Sequence, residues 1–206
     1  KLKIRIMKNI QKKFNHKNPY TIGIEEEYMI CSPETGDLVH LANDIMKELN
    51  SSLLPRYSYE LILSEIEVNT SVSKNIKDAI DELRFLRNNT RKIGEKLGFL
   101  LGISGTHPTA LSKNQCFVNN ESYNWVANQL NYYAKRNITF ALHVHIAIPN
   151  DQCVIHVTNA LRRWISPLLA LSCNSPFFEG EETGMRSSRT MQFSSFPRTN
   201  IPTEFA

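Results

Sequence analysis

Three short segments of the sequence concentrate the side chains able to hold a cation or move a proton. The first, Tyr20-Thr21-Ile22-Gly23-Ile24-Glu25-Glu26-Glu27-Tyr28-Met29, alternates apolar and acidic positions. Alternate side chains of a strand share a face, so Ile22, Ile24 and Tyr28 fall together while Glu25 and Glu27 point the opposite way. Like charges on one face repel unless water or a cation relieves them, and hard divalent ions prefer oxygen ligands. The second segment, Glu60 to Thr70, repeats the pattern: Ile62, Ile66 and Val68 have one parity, and Glu65, Glu67 and Asn69 the other. Glu60 has the wrong parity to join Glu67 on a regular strand, and reaches the same site only from a bulge or an earlier loop position. In each of these two segments alone, a solvated acidic face is the simpler reading.

The third segment, Ile138 to Ile148, sets Phe140, Leu142, Val144, Ile146 and Ile148 on one apolar face and Thr139, His143 and His145 on the other. Imidazole ligates metals and donates hydrogen bonds, so the pair suits metal ligation, phosphate contact, acid–base work or a structural role. Loops rich in small polar groups add Thr106 and His107 (in Gly-Thr-His-Pro), Asn174 and Ser175 before Pro176, Arg189 after two serines, and Arg198 after Pro197. Loops at the ends of strands and helices are common substrate platforms, although ordinary turns use the same residues.

These residues need elements to position them. Residues 20 to 31 alternate as a strand, 33 to 37 form a turn, and 39 to 50 fit a short helix with Ile45, Met46 and Leu49 inward. Residues 60 to 70 are extended. From 74 to 97, Ile76, Ile80, Leu83, Leu86, Ile93 and Leu97 recur at helical spacing. Residues 99 to 104 form a strand, 123 to 135 a helix and 138 to 148 a strand. A long apolar helix spans 151 to 172, capped by Asp151 and bent at Pro167. Strands with one polar face are unlike the apolar strands of a buried parallel sheet, which points to an α+β fold whose antiparallel or mixed sheet packs helices on one face.

At 206 residues and 41% hydrophobic the chain can bury a continuous core. No apolar run approaches the roughly 20 residues needed to span a bilayer, and the first residues lack the apolar centre of a secretion signal. The four cysteines have none of the paired spacings of a zinc site or disulfide framework, so the chain reads as cytoplasmic with free thiols. The formal charge of +4 is local: seven lysines and arginines fall in the first 17 residues, leaving 17 basic against 20 acidic residues beyond. Residues 1–19 thus form a basic arm ahead of the region 20–206. That region has no basic stripe with interleaved aromatics of the kind that binds nucleic acid. The sequence starts without methionine and stops at Ala206 beyond Pro197 and Pro202, which reads as a fragment.

The order of the pieces resembles the carboxylate-amine ligase branch of the glutamate-cysteine ligase family (type 2). The resemblance rests on Gly23-Ile24-Glu25-Glu26-Glu27-Tyr28, Glu60 through Thr70, Gly105-Thr106-His107-Pro108, His143-Val144-His145 and Asn174 to Gly180, and runs from about Tyr20 to Ala206. It implies that residues 20–206 are the N-terminal part of a catalytic domain, a glutamine synthetase-like catalytic fold, incomplete at the C-terminus, in which an antiparallel sheet forms a funnel holding magnesium or manganese between ATP and an amino acid. Glu25, Glu27, Glu60, Glu67 and His143 are then the expected metal ligands, with His143 and His145 near the nucleotide phosphates. Arg189 and Arg198 are expected on phosphate or substrate carboxylate, and Thr106, His107, Asn174 and Ser175 in the substrate platform. The implied reaction transfers the γ-phosphoryl of ATP to a carboxylate, and an amine then displaces phosphate from the acyl phosphate. Glutamate and an amine such as cysteine are the implied substrates, and a homodimer the implied assembly.

Two features depart from the family pattern. Ala141 stands where members commonly carry glycine, and Thr199-Asn200 follows the Pro-Arg pair where another glycine is usual. Family enzymes also continue well beyond this length, into a further acidic strand. Two rival readings follow: a truncated, non-catalytic nucleotide- or partner-binding remnant, and a metal-dependent amidohydrolase, whose binuclear site also opens with a His-x-His pair.

Overall fold

The computed structural model describes residues 18–130, 134, 136–194, 201 and 203–204. Nearly all of the basic arm and Arg198 lie outside the described residues.

The organising element is strand β1 (Ile22–Cys31). On one side it pairs antiparallel with β3 (Glu65–Asn69), which in turn pairs with the short β2 (Tyr57–Tyr59). On the other side it pairs with β5 (Leu142–Ile146) along its first half and with β4 (Leu100–Gly102) along its second. Every pairing in the five-stranded sheet is antiparallel, as the two-faced strands require.

One face of this sheet carries the main core. Ile24, Tyr28 and Ile30 of β1 join Ile66 and Val68 of β3 against helix α2 (Ile76–Leu97), with helix α1 (Ala42–Glu48) contributing Ala42 and Ile45. Asn75 caps α2 by accepting the Asp78 N–H at 3.0 Å, and Gly98 ends it at φ 78°, a left-handed conformation that costs glycine little. The buried stripe of α2 is Ala79, Leu83, Leu86, Thr90 and Gly94. Ile76 and Ile80, expected inward, are exposed, because the stripe begins at Ala79.

Glu26 shares the α2 side of β1. It is buried and accepts from Arg87 Nε at 2.7 Å, from Arg87 Nη2 and from the Tyr28 hydroxyl. The carboxylate is thereby matched within the fold by one guanidinium and one phenol.

The other face is apolar only at its base, where Met29, Cys31, Leu61, Ile62, Ile138 and Phe140 cluster. Above it the same parity carries acids and histidines. Helix α3 (Glu121–Leu130) follows, then, beyond β5, helix α4 (Asp151–Leu161), a 3-10 turn at 162–164 and helix α5 (Ile165–Ser172). A two-stranded ribbon, β6 (Phe177–Phe178) and β7 (Glu181–Glu182), leads to helix α6 (Ser188–Ser194).

Three expectations for this region need correction. Asn150, not Asp151, caps α4, accepting the Cys153 N–H at 2.8 Å. The long helix breaks at 162–164, ahead of Pro167, which sits in the first turn of α5 where a missing N–H costs little. Of the apolar face of the third segment, Phe140 is buried, but Leu142, Val144 and Ile146 are more than half exposed. Residues of β5 lie beside the first half of β1, and the helix-packed core does not extend over them.

Candidate functional site

Strand register brings the acids together. Glu27 stands opposite Glu67, Glu25 opposite Asn69 and Met29 opposite Glu65, while on the other side of β1 Glu25 faces His143 and Gly23 faces His145. Since paired residues share a face, Glu25, Glu27, Glu65, Glu67, His143 and His145 all line the side of the sheet away from α2. Glu60 arrives from the irregular stretch between β2 and β3, the loop position its parity required.

The cup deepens along β1. At the outer end His145 Nε2 lies 3.1 Å from Glu25 Oε2, with the His145 side chain 62% exposed. One step in, His143 Nδ1 lies 3.2 Å from Glu25 Oε2 and 3.8 Å from Glu27 Oε1, and the Glu27 side chain is only 10% exposed. Asn69 Nδ2 donates to Glu67 Oε1 at 2.9 Å and to Ser58 Oγ at 3.1 Å, steadying Glu67 from its own strand and from β2. At the bottom, Glu65 is buried beside the apolar base.

Crowding shows in the acidities. Burial raises Glu27, the charge of Glu67 adds to the rise and His143 opposes it. Glu60 is pushed up to about 8, first by burial and then by the charges of Glu27 and Glu67. Burial likewise holds Glu65 well above the usual carboxylate range, reinforced by Glu27, Glu60 and Glu67. Tyr123 of α3 borders the cluster: its phenol is raised by burial and then by the surrounding acids, and donates to the Tyr59 carbonyl at 2.8 Å. Burial leads in each case and the neighbouring acids add to it, so the neutral form of these carboxyls is favoured.

Two donor sets form within the cup, Glu25 with Glu67 and His143, and Glu27 with Glu60 and Glu67, each with candidate ligand atoms within 4.8 Å of one another. They share Glu67, and either set offers donors that would hold a divalent cation. Carboxylate oxygens with one imidazole suit magnesium or manganese, and the buried Glu65 Oε1, which has no hydrogen-bond partner among the described residues, agrees with a site short of positive charge.

The loop residues divide differently. Thr106 and His107 are buried: Thr106 Oγ1 donates to the Phe177 carbonyl at 2.9 Å, His107 Nε2 faces the Gly36 carbonyl at 2.9 Å, and His107 Nδ1 accepts from the Ala110 and Thr109 N–H groups. Both make hydrogen bonds to other segments of the chain. Ser175 is also buried and accepts from the Arg189 N–H at 3.3 Å, while the exposed Asn174 accepts from the Gly105 N–H at 2.9 Å. A Cβ on Gly105 would meet Ser175 Oγ at 3.0 Å, Asn174 Oδ1 at 3.1 Å and Arg189 Cβ at 3.2 Å, so the absence of a side chain lets the loops close. This clamp holds Arg189, whose Nε donates to the Phe140 carbonyl at 2.9 Å and whose guanidinium lies 5.0 Å from the Phe193 ring centroid. The charge of Arg189 is a minor influence that lowers the pKa of Glu27.

Sequence reasoning assigned no role to Glu65, Tyr123 or the Arg87–Glu26 pair. Parity with Glu67 signalled Glu65, whereas nothing local in the sequence pairs Arg87 with Glu26. Tyr123 left no signal, because its place depends on how α3 packs.

Comparison with known proteins gives the family and the fold. The family described as "Glutamate-cysteine ligase family 2(GCS2)" matches residues 21–206. A protein of Solibacter usitatus named "Putative glutamate--cysteine ligase 2" is 39% identical over 183 residues, covering 88% of this chain and 48% of the relative. A similarly named protein of Rubrobacter xylanophilus is 38% identical, covering 90% of this chain and 50% of its own. The chain therefore spans about half the length of the curated relatives it matches. Among solved structures, a bifunctional glutathione synthetase from Pasteurella multocida superposes with a TM-score of 0.57 at 12% identity, over 84% of this chain and 26% of that one, which is a likeness of fold.

Proposed function

This chain belongs to glutamate-cysteine ligase family 2, and from that premise we propose that it carries the metal- and nucleotide-binding part of an ATP-dependent carboxylate-amine ligase. The substrates of this reading are glutamate and an amine such as cysteine. The γ-phosphoryl of ATP passes to the carboxylate with release of ADP; the amine then attacks the acyl carbon, the carbon–oxygen bond to phosphate breaks, and the amine nitrogen gives up a proton. The observation that carries the reading is the convergence of Glu25, Glu27, Glu60, Glu67 and His143 from three separate segments into two overlapping donor sets.

The place of each group sets its role. Glu27, Glu60 and Glu67 would hold an inner magnesium or manganese ion, and Glu25, Glu67 and His143 an outer one. Bound divalent cations supply charge neutralisation and in-line orientation for phosphoryl transfer. His145, exposed at the outer end, is suited to a phosphate oxygen. Arg189, clamped by the Ser175 loop, presents a guanidinium beside the cup, where its fork suits a phosphate or substrate carboxylate. Burial raises Glu27 and Glu60, so a cation bound there would displace protons from them.

Family membership weighs against the amidohydrolase reading, and His107, one of the few further histidines, is occupied in a loop clamp. The test is to supply the purified protein with ATP, magnesium, glutamate and cysteine. Amino acid-stimulated ADP release, lost in Glu27→Gln, is the expected result. Folded protein that binds manganese yet releases no ADP with any amino acid pair would overturn the ligase activity and leave the remnant reading.

A further inference from the structure

The apolar cover of the sheet stops between two neighbouring strands. Val144 of β5 stands opposite Ile24 of β1, so the two side chains share a face, yet Ile24 is 5% exposed and Val144 54%. Leu142 and Ile146 have the same parity as Val144 and are as bare. The edge of β5 is open as well. The Glu27 N–H donates to the Ala141 carbonyl at 3.0 Å and the Ala147 N–H to the Thr21 carbonyl at 2.9 Å, so the odd-numbered residues of this stretch bond to β1. Leu142, Val144 and Ile146 therefore turn their N–H and C=O groups outward, and among the described residues β5 pairs with no strand but β1. A bare apolar strand with a free edge is a template for another chain, and folds that leave such an edge in water block it with charge, proline or a covering helix. None of the three outward residues is charged or a proline. Helix α5 likewise buries none of its residues, although a helix apolar on nearly all sides is ordinarily enclosed.

We propose that the open edge and bare face of β5 form a docking surface for the half of a family 2 chain that lies outside the region matched here, which adds a strand along Leu142–Ile146 and covers their side chains. The Solibacter usitatus relative, 39% identical over 183 residues, is matched over 48% of its length, so it carries about as much chain again outside the match. That length supplies both a strand for the edge and a layer for the face. A second copy of this chain fits less well. Two β5 edges pairing about a two-fold axis normal to the sheet would set both bare faces on the same side, doubling the apolar patch instead of covering it. The proposal rests on family membership and not on the ligase reading, so a complex without turnover would leave it standing.

Amide hydrogen exchange reads this surface directly. In the chain alone, Leu142, Val144 and Ile146 are expected to exchange fast, and the matching strand of the intact Solibacter usitatus relative roughly tenfold more slowly or better. Co-expressed with the unmatched half of that relative, this chain should purify as a one-to-one complex in which the same three amides slow. Val144→Pro removes an outward N–H at an edge position, where proline is tolerated, and should abolish the complex while the isolated chain keeps its circular dichroism. Should Val144→Pro not fold, Val144→Lys, which leaves the backbone donor and places a charge on the covered face, should weaken the complex roughly tenfold or more. Fast exchange of the matching strand in the intact relative would overturn the proposal. So would the absence of a complex on co-expression, or a complex that Val144→Lys leaves unweakened. Slow exchange of the three amides in the chain alone, with a concentration-dependent dimer, would make a second copy the occupant and overturn it too.

Discussion

The two faces of β1 meet the same residue type with opposite solutions. On the α2 side, Glu26 is buried against Arg87 and Tyr28, and its charge is balanced within the chain. On the other side, Glu25 and Glu27 stand with Glu60, Glu65 and Glu67; burial first and then neighbouring acids raise Glu27, Glu60 and Glu65, while His143 and Arg189 oppose the rise at Glu27. A carboxylate given a fixed partner serves the fold. Carboxylates gathered without enough counter-charge destabilise the fold locally and are relieved when a cation enters.

Breaking each face should therefore disturb a different property. The largest effect expected is on binding: Glu27→Gln should lower manganese affinity by roughly 100-fold with little change in the urea midpoint, as read by titration and denaturation on the same sample. Glu26→Ala should do the reverse. It strips the partner from Arg87 and Tyr28, and should cost roughly 2–3 kcal/mol in urea unfolding, less than a fully buried pair because the Arg87 side chain is 45% exposed. Manganese affinity should change little unless β1 shifts.

Acidity sharpens the contrast. The folded chain holds the Glu60 proton up to about pH 8, against 4.5 for the free group. The associated stability is complete below about 4.5 and is lost as the pH rises through about 8, because the unfolded chain releases that proton earlier. Metal-free protein should lose melting temperature across this window, and added manganese should raise it more near pH 8 than near pH 5. A flat profile would mean that Glu60 is more solvated than its place implies. The smallest effect expected is at the loop clamp, where Gly105→Ala should cost about 1 kcal/mol and move Arg189, seen as weaker nucleotide-analogue binding with manganese affinity intact.

Much of this arrangement was legible in the sequence. Period-two alternation gave the acid-bearing faces of β1 and β3, and the parity of Glu60 required the loop position it occupies. The cup was legible as a convergence only through the family resemblance, because no local pattern states that Glu27 pairs with Glu67 or Glu25 with His143. Burial was least legible. Leu142, Val144 and Ile146 have the pattern of a core strand but lie exposed at the first half of β1, whereas Thr106, His107 and Ser175 have the composition of a substrate loop and are spent on hydrogen bonds between loops. Both depend on what packs alongside, which is a property of tertiary structure.

The most direct test of the central claim is the anomalous scattering of manganese in crystals of this protein. Peaks between β1, β3 and β5, within ligand distance of Glu27 and Glu67, are the expected result. Manganese at saturating concentration that scatters elsewhere, with no peak in the cup, would contradict it.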